Sequence, residues 1–199
     1  MLQRNKNMQE VHWILNELNI DHWLYEGALL GIYRDGDFIP WDWDVDFLVY
    51  SEQLYPNIEN LVKLLKKSGF KTKYVKDKKR PKVGISRNDE KISINGYFLN
   101  KKKKLRVRIP YRFPCELFDP GALIKFKKEL YYCPEPIEKY LEMAYGDWKT
   151  PIISGNPDEY RRGRGDNSSN VEKRYHQEVG KYHWVGLEDF QGYQKINGD

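Results

Sequence analysis

Three aspartates separated by single residues, Asp42, Asp44 and Asp46, constrain this chain more than any other feature. They lie in residues 42–50, whose alternation of polar and apolar side chains predicts a β-strand. Residues two apart on a strand share a face, so the three carboxylates point one way and Trp43, Val45 and Phe47 form the expected core face. Same-face neighbours sit about 7 Å apart, and at an effective dielectric of about 20 each adjacent pair repels by roughly 2 kcal/mol. Stability alone gives no reason for such a row. Solvated acids on an edge strand are one resolution. A bound divalent cation is the other, and oxygen ligands select Mg²⁺ or Mn²⁺, which complete their shells with water and phosphate.

The residues upstream bear on that choice. Gly27-Ala28 closes a short run at 22–26 and opens a helix-like turn over 28–34. Free N–H groups at a helix start favour phosphate, and a glycine there lets a ligand approach the backbone. A glycine before a helix commonly makes only a turn; beside an acidic strand it forms one half of a two-part site, with anion donors on one side and a cation on the other. Apolar spacings of three and four predict helices at 8–18, 54–68 and 136–145, and shorter runs predict strands at 70–75, 82–86, 91–99 and 105–109. The chain is therefore α/β or α+β. Its 40% hydrophobic and 15% aromatic residues suffice for a packed core.

Residues 27–47, GALLGIYRDGDFIPWDWDVDF, resemble the signature of the LicD/fukutin family, which includes bacterial phosphocholine transferases, fukutin and the fukutin-related protein. Gly27, Leu29, Leu30, Gly31, Arg34, Ile39, Pro40, Trp41, Asp42, Asp44, Val45 and Asp46 fit its pattern, and YLEMAYGDW at 140–148 with Pro151 is similar to a later family segment. The resemblance implies a nucleotidyltransferase-like mixed sheet flanked by helices over residues 1–155, followed by an irregular C-terminal extension, 156–199, packed on it. It also implies an activity: transfer of a phosphocholine-like or ribitol-phosphate-like unit from a CDP-linked alcohol donor to a sugar hydroxyl of a glycan or glycolipid acceptor, releasing CMP. Asp44 and Asp46 would hold Mg²⁺ or Mn²⁺ across the pyrophosphate. The N–H groups of Gly27 and Ala28 and the Arg34 guanidinium would grip phosphate oxygens, with Trp41 in the substrate-binding segment. Asp42 joins the metal site or positions the attacking hydroxyl, and Arg34 has a competing use as a surface partner of Asp35 or Asp37.

The same fold ordinarily adds a third acid from a later strand. The best match, ISINGYF at 92–98, places Asn95 there. Asn ligates a hard cation through its carbonyl but is a poor base. Asp42 could serve as base, another acid could fill the position, or transfer could have been lost. The rival activities are nucleotidylyl transfer from an NTP to protein, RNA or a small molecule, and non-catalytic nucleotide or glycan binding.

The net charge of +5 is too small to name nucleic acid as a partner. Two Lys/Arg clusters, 71–80 and 101–108, read as solvated hairpin tips that could also meet an anionic glycan, nucleotide or peripheral membrane surface. No apolar stretch approaches the roughly 20 residues of a membrane span. With two cysteines and no leader-like start, a cytoplasmic setting, bacterial or viral, is expected.

Overall fold

A computed structural model describes residues 2–108 and 111–153. Helix α1 (Leu2–Glu17) leads into β1 (His22–Tyr25), α2 (Glu26–Asp35), β2 (Asp44–Tyr50) and α3 (Ser51–Lys67). Strands β3 (Lys71–Val75), β4 (Lys82–Arg87), β5 (Glu90–Asn100), β6 (Leu105–Arg108) and β7 (Tyr111–Pro114) follow. A short 3-10 turn, the hairpin β8 (Ala122–Phe126) and β9 (Glu129–Cys133), and α4 (Ile137–Tyr145) complete the described elements. The expected extension, 156–199, lies outside the described residues.

The main sheet runs β3-β4-β5-β2-β1-β9-β8, with β6 and β7 continuing from β5. The β2–β5 and β1–β9 pairs are parallel and the other pairs antiparallel, so the expected mixed sheet is present. Its two faces differ in chemistry. Val45, Phe47, Ile92, Ile94, Val83 and Ile85 are buried on the face that α1 and α3 cover. Spacings of three and four put Met8, Val11 and Leu15 of α1 and Leu54, Ile58, Leu61 and Leu65 of α3 against it, all fully buried. The opposite face carries Lys73, Gly84, Ser93, Asp46 and Tyr25 in one row across five strands.

Several expectations shift. Helix α1 begins six residues before the predicted start, because polar contacts rather than apolar periodicity hold its first turns: Arg4 Nε meets Glu90 Oε2 at 2.7 Å, and Asn7 Nδ2 donates to the Arg87 carbonyl at 2.9 Å. Strand β2 begins at Asp44, so Asp42 precedes it in a turn closed by Asp42 N–H donating to the Ile39 carbonyl. Trp43 is not on the core face; it is 59% exposed, with Lys91 Nζ 4.6 Å above its ring. The β8–β9 hairpin was not expected. Its Lys127-Lys128 connection, with Lys127 at φ 54°, has none of the Asn-Gly chemistry that marks such turns.

The solvated-tip reading of the basic clusters holds for the exposed Lys101, Lys102 and Lys103 and fails for three others. Lys73 and Arg106 are buried, and Arg108 Nη1 donates to the Gly96 carbonyl at 3.1 Å.

Candidate active site

Tyr25 ends β1 in extended conformation and Glu26 opens α2 with φ at 55°, so Gly27 and Ala28 lie within the first helical turn rather than ahead of it. Their N–H groups belong to the set no intrahelical carbonyl satisfies. The first of that set is fixed from α4: Glu26 N–H donates to Tyr140 Oη at 3.0 Å, while Tyr145 Oη donates to Glu26 Oε2 at 3.3 Å.

Gly27 is required by what lies on it. A Cβ there would run into Oδ2 of Asp42, so the acid preceding β2 packs directly on the helix start. Asp42 Oδ1 accepts from Trp43 N–H at 2.9 Å, and Arg4 Nη1 donates to the Asp42 carbonyl at 2.6 Å. Gly31 has a similar role, since a Cβ would come 2.7 Å from the Asp37 carbonyl oxygen and 2.8 Å from Ile39 N. The loop carrying Pro40, Trp41 and Asp42 therefore lies flat on α2.

Two clefts meet at Trp43, Asp44 and Asp46. The first, about 200 Å³, is bounded by Gly27, Arg34, Trp41, Asp42, Tyr145 and Trp148, with Leu30, Ile39 and Ile152 supplying apolar wall. Asp42, Asp44 and Asp46 thus face one space, as the alternation predicts, although only the last two do so from a strand. Arg34 reaches this cleft but is strongly engaged: Nε and Nη2 clasp Asp35 at 2.8 and 2.7 Å, and Nη1 donates to the Trp148 carbonyl at 3.1 Å. That clasp holds the Asp35 carboxyl below the usual carboxylate range. The guanidinium thereby secures the Gly146-Asp147-Trp148 segment beside the acids.

Asn95 stands where β5 passes β2, buried, and its Nδ2 donates to Asp46 Oδ1 at 2.9 Å. The strand placement made from sequence therefore brings it to the acids. In this orientation the amide fixes Asp46 through its N–H, and its carbonyl is not the group turned to that carboxylate.

The second cleft, about 230 Å³, was missed at the sequence level. Lys73, Lys82, Lys91 and Arg108 line it, from β3, β4, β5 and β6, together with Glu26, Ser93 and Asn95. Burial, followed by the charges of Lys82 and Lys91, pulls Lys73 down to about 7. Lys82 is also lowered, by burial and then Arg108, while Asp46 and Asp44 act in the opposite sense. Lys82 thus supplies countercharge to the aspartates, a resolution beside the two weighed from sequence, solvated acids and a bound cation. Alternation within β4 and β5 was the available signal, since Lys82, Gly84, Lys91, Ser93 and Asn95 share the face of Asp46.

The oxygen donors of Asp44 and Asp46, half-buried on one strand face with Asp46 held by Asn95, suit a hard divalent cation. No group of three acidic, histidine or cysteine side chains is disposed as a complete protein-only metal site among the described residues. A cation at Asp44 and Asp46 would draw its remaining ligands from water and substrate, the habit of Mg²⁺.

A helix start laid against an acidic strand of a mixed sheet places the domain in the nucleotidyltransferase class. A profile described as LicD/FKTN/FKRP, nucleotidyltransferase domain, matches residues 19–135, more than half of the sequence, and the chain belongs to that family. Ribitol 5-phosphate transferase FKRP of Mus musculus is 26% identical over 156 residues, covering 73% of this chain and 31% of that protein. The Homo sapiens protein of the same name is 46% identical over 41 residues, 21% of this chain and 8% of its own. An uncharacterized protein of Rickettsia typhi is 25% identical over 158 residues, 75% of this chain and 48% of its own. The chain thus spans less than half the length of each of the two relatives it matches at length. Among solved structures, the antibiotic-resistance factor ANT(2'')-Ia is similar at 14% identity and a TM-score of 0.46 over 87% of this chain and 91% of that one, too slight a likeness to carry an argument. No helix among the described residues is long and apolar enough to cross a membrane.

Proposed function

We propose that this domain transfers a phospho-alcohol unit from a CDP-linked alcohol to a sugar hydroxyl of a glycan or glycolipid, with Mg²⁺ or Mn²⁺ held by Asp44 and Asp46. The observation that carries the reading is the meeting of two chemically different clefts at those two acids. In-line displacement brings donor and acceptor to the transferred phosphorus from different directions, and two clefts joined at the acids accommodate both.

The aromatic cleft suits the nucleoside end of the donor. Trp41, Trp43 and Trp148 offer rings, and the N–H groups of Gly27 and Ala28 offer anion donors at the helix start. Bound at the acids, the cation would offset charge on the diphosphate. Asp42, packed on Gly27, is the acid left to accept the hydroxyl proton, because Asn95 has no basic oxygen. Arg34 serves first to hold the Trp148 segment and Asp35, which favours the structural use weighed for it from sequence. Ribitol 5-phosphate transfer, named for the relatives of similar sequence, supports the donor class.

The test is a donor screen with Mn²⁺. CMP release from CDP-ribitol or CDP-choline is expected, without pyrophosphate release from NTPs. Asp44→Asn and Asp46→Asn should each lower turnover by roughly a hundredfold or more while keeping the circular dichroism spectrum. Pyrophosphate release from an NTP would instead assign nucleotidylyl transfer. Nucleotide binding without turnover of any donor would assign a binding module, the outcome that Asn95 leaves open.

A further inference from the structure

Glu26 stands where backbone, burial and charge all disfavour it. Six non-glycine residues among those described have positive φ, and five of them, Asn19, Asn88, Asp89, Lys104 and Lys127, are exposed in turns. Glu26 is the sixth, buried at φ 55°, a region that glycine occupies without steric cost. It also brings a carboxylate to the start of α2, where its charge competes with the diphosphate proposed for the same turn. Residues held against such preferences persist only where their surroundings fix them, and they concentrate at functional sites.

Two tyrosines of α4 do the fixing. Tyr140 Oη takes the Glu26 N–H at 3.0 Å, and Tyr145 Oη donates to Glu26 Oε2 at 3.3 Å. Tyr145 borders the first cleft and Glu26 the second, so this pair stands between them. Just past Tyr145 the chain leaves the helix at Gly146, φ 71°, and Asp147 and Trp148 line the first cleft. Helix α2 therefore holds that wall from both of its ends, Glu26 gripping Tyr145 and Arg34 gripping the Trp148 carbonyl.

We infer that Glu26 is a positioning residue for the donor: it holds Tyr145, and with it the wall 146–148, at the phosphate-facing end of α2, so that nucleoside and diphosphate are gripped in one register. The inference rests on the donor seating proposed above. The competing role is countercharge to Lys82 and Arg108, which line the second cleft with Glu26. Countercharge needs the negative charge itself, whereas holding Tyr145 needs only an oxygen acceptor, which glutamine also has.

Calorimetric titration of the full chain with CDP and Mn²⁺, beside KM and kcat for CMP release from CDP-ribitol, separates the roles. Glu26→Gly should weaken CDP binding and raise KM about tenfold, the scale of one hydrogen bond to a charged group, with kcat nearly unchanged. Glu26→Gln should stay close to the parent in both constants. Glycine suits φ 55°, so Glu26→Gly is expected to fold, which its melting curve checks. Tyr145→Phe removes the same bond from the other side; it should reproduce the KM change, decides the matter if Glu26→Gly does not fold, and should add nothing in the double variant. Equal losses in Glu26→Gly and Glu26→Gln assign countercharge and overturn the inference. Unchanged or tighter CDP binding in Glu26→Gly and Tyr145→Phe overturns it too, as does a fall in kcat at constant KM. CMP release by the parent with CDP affinity intact in both variants sinks the positioning role alone. Weakened CDP binding in the variants of a parent that turns over no CDP-alcohol sinks the transferase reading alone.

Discussion

Gly27 and Asp42 are fitted to one another, with no room between them for a methyl group. Gly27→Ala should displace the Asp42 carboxylate and lower turnover by roughly a hundredfold, the scale of an ångström misplacement. The backbone at Gly27 is helical, so melting should move by only a few degrees, and a calorimetric scan beside the CMP assay checks both. Asn95→Asp tests the other side of the acids. It exchanges an N–H donor 2.9 Å from Asp46 for a like charge, with an expected cost of about 1–3 kcal/mol without metal. Mn²⁺ should recover most of that loss in a thermal melt; equal destabilisation with and without Mn²⁺ would place the cation elsewhere. The spacing of the aspartates made this part of the site legible, and the ISINGYF pattern located Asn95. What spacing did not reveal is the direction of the amide, which only the packing of β5 on β2 determines.

Helix α4 sets α2 in place. Tyr140→Phe would remove the acceptor for Glu26 N–H in a buried setting, and a loss of about 1–3 kcal/mol in urea denaturation is expected. Helix α1 is tied to β1 by a chain with one consistent proton assignment. Asn16 donates to His12 Nε2, His12 Nδ1–H to His22 Nε2 at 2.6 Å, and His22 Nδ1–H to the Ile20 carbonyl at 2.7 Å. Two of these links use an unprotonated nitrogen as acceptor, His12 Nε2 and His22 Nε2, so protonating either ring breaks one of them, whereas the Ile20 bond survives. Burial first, opposed by the Ile20 bond, lowers His22 to about 4, and burial also lowers His12. Because the unfolded chain takes up these protons near its ordinary 6.5, stability is fully present above that pH and falls as pH drops from about 6.5 towards about 4. The loss from His22 should approach about 3 kcal/mol, and His22→Phe should flatten the dependence of melting temperature on pH over that window. Helix periodicity exposed the apolar stripe of α1, but its polar first turns answer to Glu90 and Arg87, 86 and 80 residues from their partners, which no local pattern encodes.

Across the whole molecule, one sheet face is apolar and covered by helices, whereas the other gathers charge at the acids. Most strands were legible because their alternation matches that division of faces. The basic cleft was not, because runs rich in lysine look alike whether they end in solvent or fold inward, and only pairing across β3, β4 and β5 distinguishes Lys73 from Lys102. CDP and Mn²⁺ together should raise the melting temperature more than the sum of either alone, since each supplies ligands or charge to the other; at a hundredfold excess over Kd the gain is about 2.7 kcal/mol. A plain sum of the separate shifts would mean that the two bind apart. Gly31 against the backbone of Asp37 and Ile39 has a broader consequence. It joins α2 and the acid-bearing loop into one stiff block, while the basic cleft is built from separate strands. Substitution on those strands can reshape the cleft without disturbing that block, so diversification of this domain has a built-in direction.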